Sequence, residues 1–576
     1  MTDNDALIHE TAGKIFEAFE DYNQEFRNIT QRARRRFDER EWKLGQRDAV
    51  ERIELYDRRV VRCVAGLVGP MGARIADVDI WHAIRADFQE RTADCVDVEF
   101  YKTFFNSVTR KVFNTVGVNP NVEFVAPDLE PALPGSSPPV RNFENEGTLL
   151  PIIESIVEQL PSVSKLVDFQ KSVIQIVAEI NWFVHSCNSG RTVKTIETLV
   201  PVFYRATRAF IVGRMEGDGW SSPLILAFKN GDQGVVVDAV ITDDSEVRSM
   251  FGFSRSYFHA DLAEVGPVVN FLCQVIPRIA VGELYTVLGR AKQGKTERYR
   301  RLFKHLTAST DRFEHAEGQR GMVMIVFTLQ SYGLVFKVIR DRFAYPKTTS
   351  RQEVMERYQF VFKHDRVGRL VDAQEFRRLR FSKSRFSQDL LDELLGQAAE
   401  SCRVEGDDVI VEHCYIERRL RPLNLYLDEV SDATARAAVV DYGQAIRDLA
   451  RSNVFPGDLL LKNFGVTGNG RVIFYDYDEL CLVTDCAFRE LPKARFDEDE
   501  MRAEPWFHVG PYDIFPEQFL DFLGLPAALR ECFLESHRDL LTADYWRDLK
   551  SKHAAEEHLE VVPYQNRSTV GQLAAV

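Results

Sequence analysis

The hydrophobic period changes along the chain, and that change limits what it can fold into. From Leu7 to about Ile29 the apolar residues Leu7, Ile8, Ile15, Phe16, Phe19, Tyr22, Phe26 and Ile29 recur at three, four and seven, the spacing of one helix face. The same spacing runs through Trp42 to Leu67, Trp81 to Phe88 and Phe100 to Val116, so the first hundred-odd residues are expected to be almost wholly helical. Beyond about residue 310 the strand-like runs MVMIVFTL, LVFKVIRD and DVIVEHCYI appear. A long helix over Ala433 to Ser452, the loop FPGDLLLKNFG, a strand RVIFYDYDE and a helical tail follow them. Strands first and helices later predict an α+β fold, with a sheet-rich small lobe ahead of a helical large lobe.

Between these regions, GLVGPMG (Gly66, Gly69 and Gly72) reads as a loop between two helices, and Pro127 to Pro139 as a second loop that sustains neither helix nor central strand. Helical spacing resumes from Leu149 to about Phe210, and AFIVGRM, PLILAF and GVVVDAVI form a small β meander near 205–242. An apolar helix from about Val268 to Leu288 leads into the charged stretch AKQGKTERYRRLFKHL, and a boundary near 310 divides the chain into regions 1–310 and 311–576.

Composition removes several classes of function. The 576 residues are 45% hydrophobic and 28% charged, as in ordinary globular protein. The 73 Lys and Arg against 87 Asp and Glu leave a net charge of −14, which argues against a broad surface for nucleic acid or anionic membrane. The cysteines, odd in number, scattered and never in a CxxC pair, predict neither a disulfide framework nor structural zinc. Acids in the opening MTDNDALIHETAGKIF, and no run of 18 apolar residues, lead to the expectation of a soluble, cytoplasmic protein with reduced thiols.

Lys337 lies in VFKVI, where strand alternation puts Val335, Lys337 and Ile339 on one buried-looking face. An ammonium held there is desolvated at a cost unless a phosphate or carboxylate meets it. The alternative is an edge-strand lysine facing solvent. Just upstream, Ala316, Glu317, Gly318, Gln319, Arg320, Gly321 and Met322 offer two glycines whose backbone can approach phosphate oxygens. In FPGDLLLKNFG, Asp458 and Asn463 stand five apart, and Asp476 follows 13 residues after Asn463. That spacing fits phosphoryl transfer: Asp458 to take a hydroxyl proton, Asn463 and Asp476 to hold Mg²⁺, and Lys462 to steady the moving group. If the strand continues, Phe474, Asp476 and Asp478 share one face, where two carboxylates need a cation, and Glu479 lies on the other. There is no HExxH, GxSxG elbow, Walker loop or thiol-phosphatase spacing, and His364, His413 and His508 read as packing or surface residues. A small-molecule kinase and a catalytically inactive nucleotide-binding scaffold remain alternatives, the second disfavoured by a retained proton-accepting Asp.

The chain resembles the bacterial isocitrate dehydrogenase kinase/phosphatase family through FFNSV, FGFSRSYF, GELYTVLG, KTERYR, RGMVMIVFTL, VFKVIRDRFA, KHDRVGR, DAQEF, YIERR, PLN, FPGDLLLKNFGVT, FYDYDE and EPWF, in order over most of its length. The resemblance implies a regulatory N-terminal domain and a two-lobed protein-kinase-like C-terminal domain. It also implies that one polypeptide phosphorylates a serine of isocitrate dehydrogenase with ATP and removes that phosphate, at the branch between citric acid cycle and glyoxylate bypass. ATP/ADP with Mg²⁺ or Mn²⁺ would be the cofactors, and AMP an allosteric effector in a pocket between the domains. Carried over by position, the ATP loop is Ala316 to Met322, the phosphate-contacting lysine Lys337 and the catalytic acid Asp458, with Asp372 of VDAQEF a further active-site residue. Ordinary kinase motifs are altered: FPGD stands for HRD, DYD for DFG, and the loop lacks GxGxxG. With no separate phosphatase motif, both reactions are expected to share one nucleotide site, with Asp478 and Glu479 assisting a water. Glu504 to Phe519 is a candidate loop for docking the protein partner. Monomer and homodimer both stay open.

Overall fold

The computed structural model describes residues 3–124, 137–186, 192–252, 258–345, 347, 349–364, 368–492, 507–562 and 564. By the clustering of its contacts the chain forms two compact units: Met1–Thr310 with Arg378–Arg380 and Tyr564–Val576, and Asp311–Arg377 with Phe381–Pro563.

In the first unit, α1 (Asp3–Asp38), α2 (Trp42–Met71), α3 (Val78–Arg91) and α4 (Val98–Phe113) bury an aromatic interior of Phe19, Tyr22, Trp81, Phe88, Phe104 and Phe105. The Gly66 to Gly72 segment is not a loop between helices: α2 runs to Met71 with Pro70 inside it. Buried Cys63, Leu67 and Met71, spaced by four, hold the turn to the core, while the glycines face open space. Of the proline-rich loop from Pro127, residues 127–136 lie outside the described residues. β1 (Val140–Glu144), which the sequence reading missed, follows it, then α5 (Leu150–Val157) and α6 (Phe169–Ser186).

The helical expectation to Phe210 overruns. β2 (Thr195–Leu199) and β3 (Phe203–Arg205) are strands, because β-branched Thr195, Ile196 and Thr198 favour the pleated ladder once β1 and β4 lie alongside. With β4 (Arg208–Gly217), β5 (Trp220–Gly231) and β6 (Gly234–Ile241) they form a six-stranded sheet of order β1-β2-β4-β5-β6, β3 pairing β4. Ile153, Ile156, Ile176 and Ile180 of α5 and α6 close one face of it over Ile196, Ile211, Leu226 and Phe228. α7 (Asp244–Gly252) follows. The single helix expected from Val268 to Leu288 is two, α8 (Gly266–Val275) and α9 (Val281–Val287), because Pro277 interrupts it. The charged stretch after it forms α10 (Ala291–Ala308).

The second unit opens with β7 (Phe313–His315), β8 (Met324–Leu329), β9 (Tyr332–Ile339), α11 (Arg351–His364), β10 (Gln374–Ser382, apart from Arg378–Arg380), α12 (Gln388–Gln397), β11 (Cys402–Glu405) and β12 (Asp408–Arg418). The sheet order is β10-β12-β9-β8-β7, with β11 on β12. Phe313, Phe327, Phe336, Phe381 and Phe386 pack together in this lobe, with ring centroids from 4.8 Å apart. The helical lobe holds β13 (Arg421–Pro422), α13 (Leu423–Glu429), α14 (Asp432–Arg451), β14 (Val454–Phe455), β15 (Phe464–Val466), β16 (Val472–Phe474), β17 (Cys481–Leu482), β18 (Ala487–Phe488), β19 (Asp513–Ile514), α15 (Ala527–His537) and α16 (Ala543–Ala554). Its core runs from Ala438, Tyr442 and Ile446 of α14 to Phe464, Phe474 and Trp546. Among the described residues no helix is long and apolar enough to cross a membrane.

Candidate active site

Lys337 is not on an edge. β9 lies between β8 and β12, with Lys337 opposite Tyr415 in the β12 ladder and Val326 in the β8 ladder. Its side chain is 7% exposed; the ammonium sits 2.8 Å from Glu417 Oε2 and donates to the Tyr475 carbonyl at 2.6 Å. Glu417 is 1% exposed, and its Oε1 has no hydrogen-bond partner. Burial pushes the Glu417 carboxyl up, Lys337 pulls it back, and the Asp476 and Asp372 charges add to the push.

Sequence reading missed Glu417. β12 also carries Asp408 and Glu412, so nothing in the sequence singled Glu417 out; the pairing of β12 with β9 is what sets it beside Lys337.

The Asp458 loop is held by local chemistry. At Gly457 the backbone takes φ +80°, and a Cβ there would stand 2.4 Å from the Glu479 carbonyl oxygen, so only glycine fits. Asp458 Oδ1 accepts the Leu460 N–H at 2.9 Å. Asn463 turns its amide N–H toward the Asp458 carbonyl at 3.4 Å, which leaves its amide oxygen as the side suited to a cation. The Tyr475 N–H donates to the Asn463 carbonyl at 3.1 Å, fixing this loop to the chain that leads to Asp476.

β16 ends at Phe474, so the expected alternation of Phe474, Asp476 and Asp478 on one face does not hold. The chain turns instead, burying Tyr477 against Phe474 with ring centroids 6.0 Å apart and bringing the Asp478 N–H to 3.5 Å from Asp476 Oδ1. Burial raises the Asp476 carboxyl, while Lys337 and Lys347 lower it. Burial, and then the Asp476 charge, push Asp478 up to about 7. Two carboxylates crowded in this way call for positive charge, and Lys347 supplies some. Its ammonium meets Glu479 Oε1 at 2.5 Å; burial disfavours its charge, but that pairing raises its pKa overall.

One cavity of about 180 Å³ gathers most of the expected residues. Ala316, Glu317, Gly318, Gln319, Arg320, Gly321 and Met322 line it, with Lys337, Asp458, Lys462, Asn463, Asp476 and Asp478. An adjoining hollow of about 620 Å³ continues past Lys337 and Glu417 to Arg418–Pro422. The glycine-containing loop is tied at several points: Glu317 pairs with Arg421, Gln319 accepts from Lys462 Nζ at 3.4 Å, and the Gly321 carbonyl accepts from Arg340 Nε at 3.1 Å. Gly318 takes φ +111°, a conformation other residues rarely adopt. Asp372 and Glu479 do not line the cavity. Asp372 accepts from Gln374 Nε2 at 3.1 Å, and Glu479 reaches the site through Lys347, which does line it.

His413 packs edge-on to Tyr415, and His508 is exposed. The side chain of His364 lies outside the described residues, as do residues 504–506 of the candidate docking loop. Among the described residues no cluster of three or more His, Cys, Asp or Glu is grouped to hold a metal, so any cation here would rest on few protein ligands. That suits Mg²⁺, which binds through one or two protein oxygens and completes its shell with phosphate and water.

A sheet-rich lobe, a helical lobe and a cavity lined by a lysine, a loop aspartate, an asparagine five residues on and a further pair of aspartates define a protein-kinase-like phosphotransferase domain. The family model "Isocitrate dehydrogenase kinase/phosphatase (AceK) kinase domain" matches residues 311–566, and the corresponding regulatory-domain model matches residues 12–310. Proteins named isocitrate dehydrogenase kinase/phosphatase are similar over nearly the full length. That of Xanthomonas campestris pv. campestris (strain 8004) is 46% identical over 96% of this chain and 95% of its own. Those of Anaeromyxobacter sp. (strain Fw109-5) and Anaeromyxobacter dehalogenans (strain 2CP-C) are 43% and 44% identical, over 96% and 98% of each chain. The chain belongs to the isocitrate dehydrogenase kinase/phosphatase family, and it is a kinase and phosphatase that uses a nucleotide.

Proposed function

We infer that this enzyme transfers the γ-phosphoryl group of ATP to a serine of isocitrate dehydrogenase and, at the same site, hydrolyses that phosphoserine, setting flux between the citric acid cycle and the glyoxylate bypass. The single supporting observation is the convergence of Lys337, Asp458, Asn463 and Asp476 on one cavity. Residues 1–310 act as the regulatory part, with AMP as effector, and 311–576 as the catalytic part.

The Ala316–Met322 backbone and Lys337 bind the phosphates, and Glu417 holds the lysine in place. Asn463 and Asp476 hold Mg²⁺ or Mn²⁺, which neutralises phosphate charge when bound. With Asp458 Oδ1 occupied by the Leu460 N–H, Oδ2 takes the serine proton as the serine oxygen bonds to phosphorus and ADP departs. Lys462 steadies the transferred group.

In the phosphatase direction, Asp478 takes a proton from water as the water oxygen bonds to phosphorus; the serine O–P bond breaks, and the proton held by Asp478 passes to the departing serine oxygen. Glu479 acts through Lys347, and Asp372 acts at the edge of the site by its charge near Glu417.

The test is incubation with labelled ATP, Mg²⁺ and purified isocitrate dehydrogenase. Label should reach a serine and leave on addition of ADP. Label confined to a small molecule, or nucleotide binding with no transfer, would contradict the reading.

A further inference from the structure

Cys481 opens β17, three residues after Asp478, and Cys486 follows the short 3-10 turn Val483–Asp485. Their sulfurs lie 3.5 Å apart, although both are free thiols. A disulfide has its sulfurs about 2.05 Å apart, so a closure of about 1.5 Å separates the pair from a bond. Cys486 is 1% exposed and Cys481 is partly exposed. We propose that this pair is a thiol modification site, which a peroxide converts to a Cys481–Cys486 disulfide that slows the neighbouring phosphoryl-transfer site.

The two thiols differ in readiness, and Cys481 is the one placed to react first. The contact with Cys486 lowers the Cys481 pKa, which favours the nucleophilic thiolate there, and the same contact together with burial raises Cys486 far above the usual thiol range. Cys481 attacks the peroxide, its sulfur bonding to one oxygen as the O–O bond breaks, and becomes a sulfenic acid while one water is released. The Cys486 sulfur then attacks the Cys481 sulfur; the S–O bond breaks, the hydroxyl leaves as water with the Cys486 proton, and the S–S bond forms. Two thiols lose two electrons and one hydrogen peroxide becomes two waters. A reduced intracellular setting is where such transient regulatory disulfides occur.

Coupling to the site follows from the packing. Cys481 pairs with Phe455 of β14, two residues ahead of Gly457. Gly457 packs closely on the chain between Asp478 and Cys481: a Cβ there would stand 2.4 Å from the Glu479 carbonyl oxygen. At the other end, the Cys486 carbonyl accepts from Lys550 Nζ of α16 at 2.6 Å. Drawing Cys481 toward this anchored residue shifts Glu479 and Asp478 against the Asp458 loop.

The experiment treats the reduced full chain with hydrogen peroxide, alkylates the remaining thiols and maps the peptides by mass, while phosphate transfer to isocitrate dehydrogenase is followed in parallel. The expected result is a 481–486 disulfide peptide two hydrogens lighter than its reduced form. Turnover should fall about ten- to a hundredfold, the scale of an ångström-sized misplacement, and return with dithiothreitol. Cys481→Ser and Cys486→Ala should each form no such peptide and resist the loss; two variants guard against one failing to fold. The proposal is overturned if Cys481 oxidises to sulfinic acid without pairing, if the disulfide forms with turnover unchanged, or if well-folded variants lose activity as the parent does. Because the peptide is read by mass, a failure of pairing is distinct from a failure of the assigned activity.

Discussion

The Arg369 cluster and the Lys337–Glu417 pair are both charges buried in the second unit, yet they are completed differently. Arg369 donates Nε to Asp448 at 2.8 Å, Nη1 to Asp441 at 2.7 Å and to the Val472 carbonyl at 2.8 Å, and Nη2 to Asp441 at 2.8 Å. Asp441 in turn accepts the Val472 N–H at 2.6 Å. That network ties α14 to the start of β16. Lys337 has one carboxylate and one carbonyl, its partner keeps an unpaired oxygen, and the pair borders open space. A saturated network serves shape, whereas an unsaturated one keeps bonding capacity for a ligand.

Three substitutions sharpen that contrast. The largest effect belongs to Asp458→Asn, which should lower kcat for phosphorylation about 100- to 10,000-fold while the melting temperature holds, as read by single-turnover kinetics and calorimetry. Next, Arg369→Ala should cost about 3–5 kcal/mol in denaturant unfolding, because it leaves two carboxylates buried without their cation. Arg369 also gives that network a pH signature. Burial pushes the Asp441 carboxyl up, but Arg369 outweighs it and holds the pKa below the usual value. The ionised Asp441 therefore adds stability above about pH 4 that drains away as pH falls through the lower folded-state pKa, and Arg369→Ala should erase this slope. Smallest, Glu417→Gln should raise the KM for ATP about tenfold with little change in unfolding, since the amide oxygen still accepts from Lys337 while the orienting charge is gone. A large stability loss in Glu417→Gln, or none in Arg369→Ala, would reverse the comparison.

What could be read from the sequence follows how local each feature is. The gathering of Asp458, Asn463 and Asp476 in one cavity was legible because they keep their spacing within one short stretch, whereas the alternation read through DYDE was not, because the strand ends at Phe474. Past residue 310, β8, β9, β12 and the long α14 were legible from the period of their apolar residues, whereas β10 (Gln374–Ser382), in a stretch expected to be helical, was not: its charged residues hide the alternation, and its pairing with β12 makes it a strand. Glu417 was not, since its role arises only when β12 lies against β9, and Lys347 was not, since an irregular segment carries it to Glu479. The errors share a physical cause. Gly66 to Met71 stays helical because buried side chains override weak local propensity, and Thr195–Leu199 becomes a strand because neighbouring strands complete its ladder.

On the proposed reading, one cavity serves both directions of phosphoryl transfer. The most direct measurement takes Lys337→Met and Asp476→Asn, each with its fold verified, and compares rates of isocitrate dehydrogenase phosphorylation and dephosphorylation under identical nucleotide and Mg²⁺. A single shared site predicts that each variant loses both rates together. Dephosphorylation at the full parental rate in either variant, with phosphorylation abolished, would contradict it.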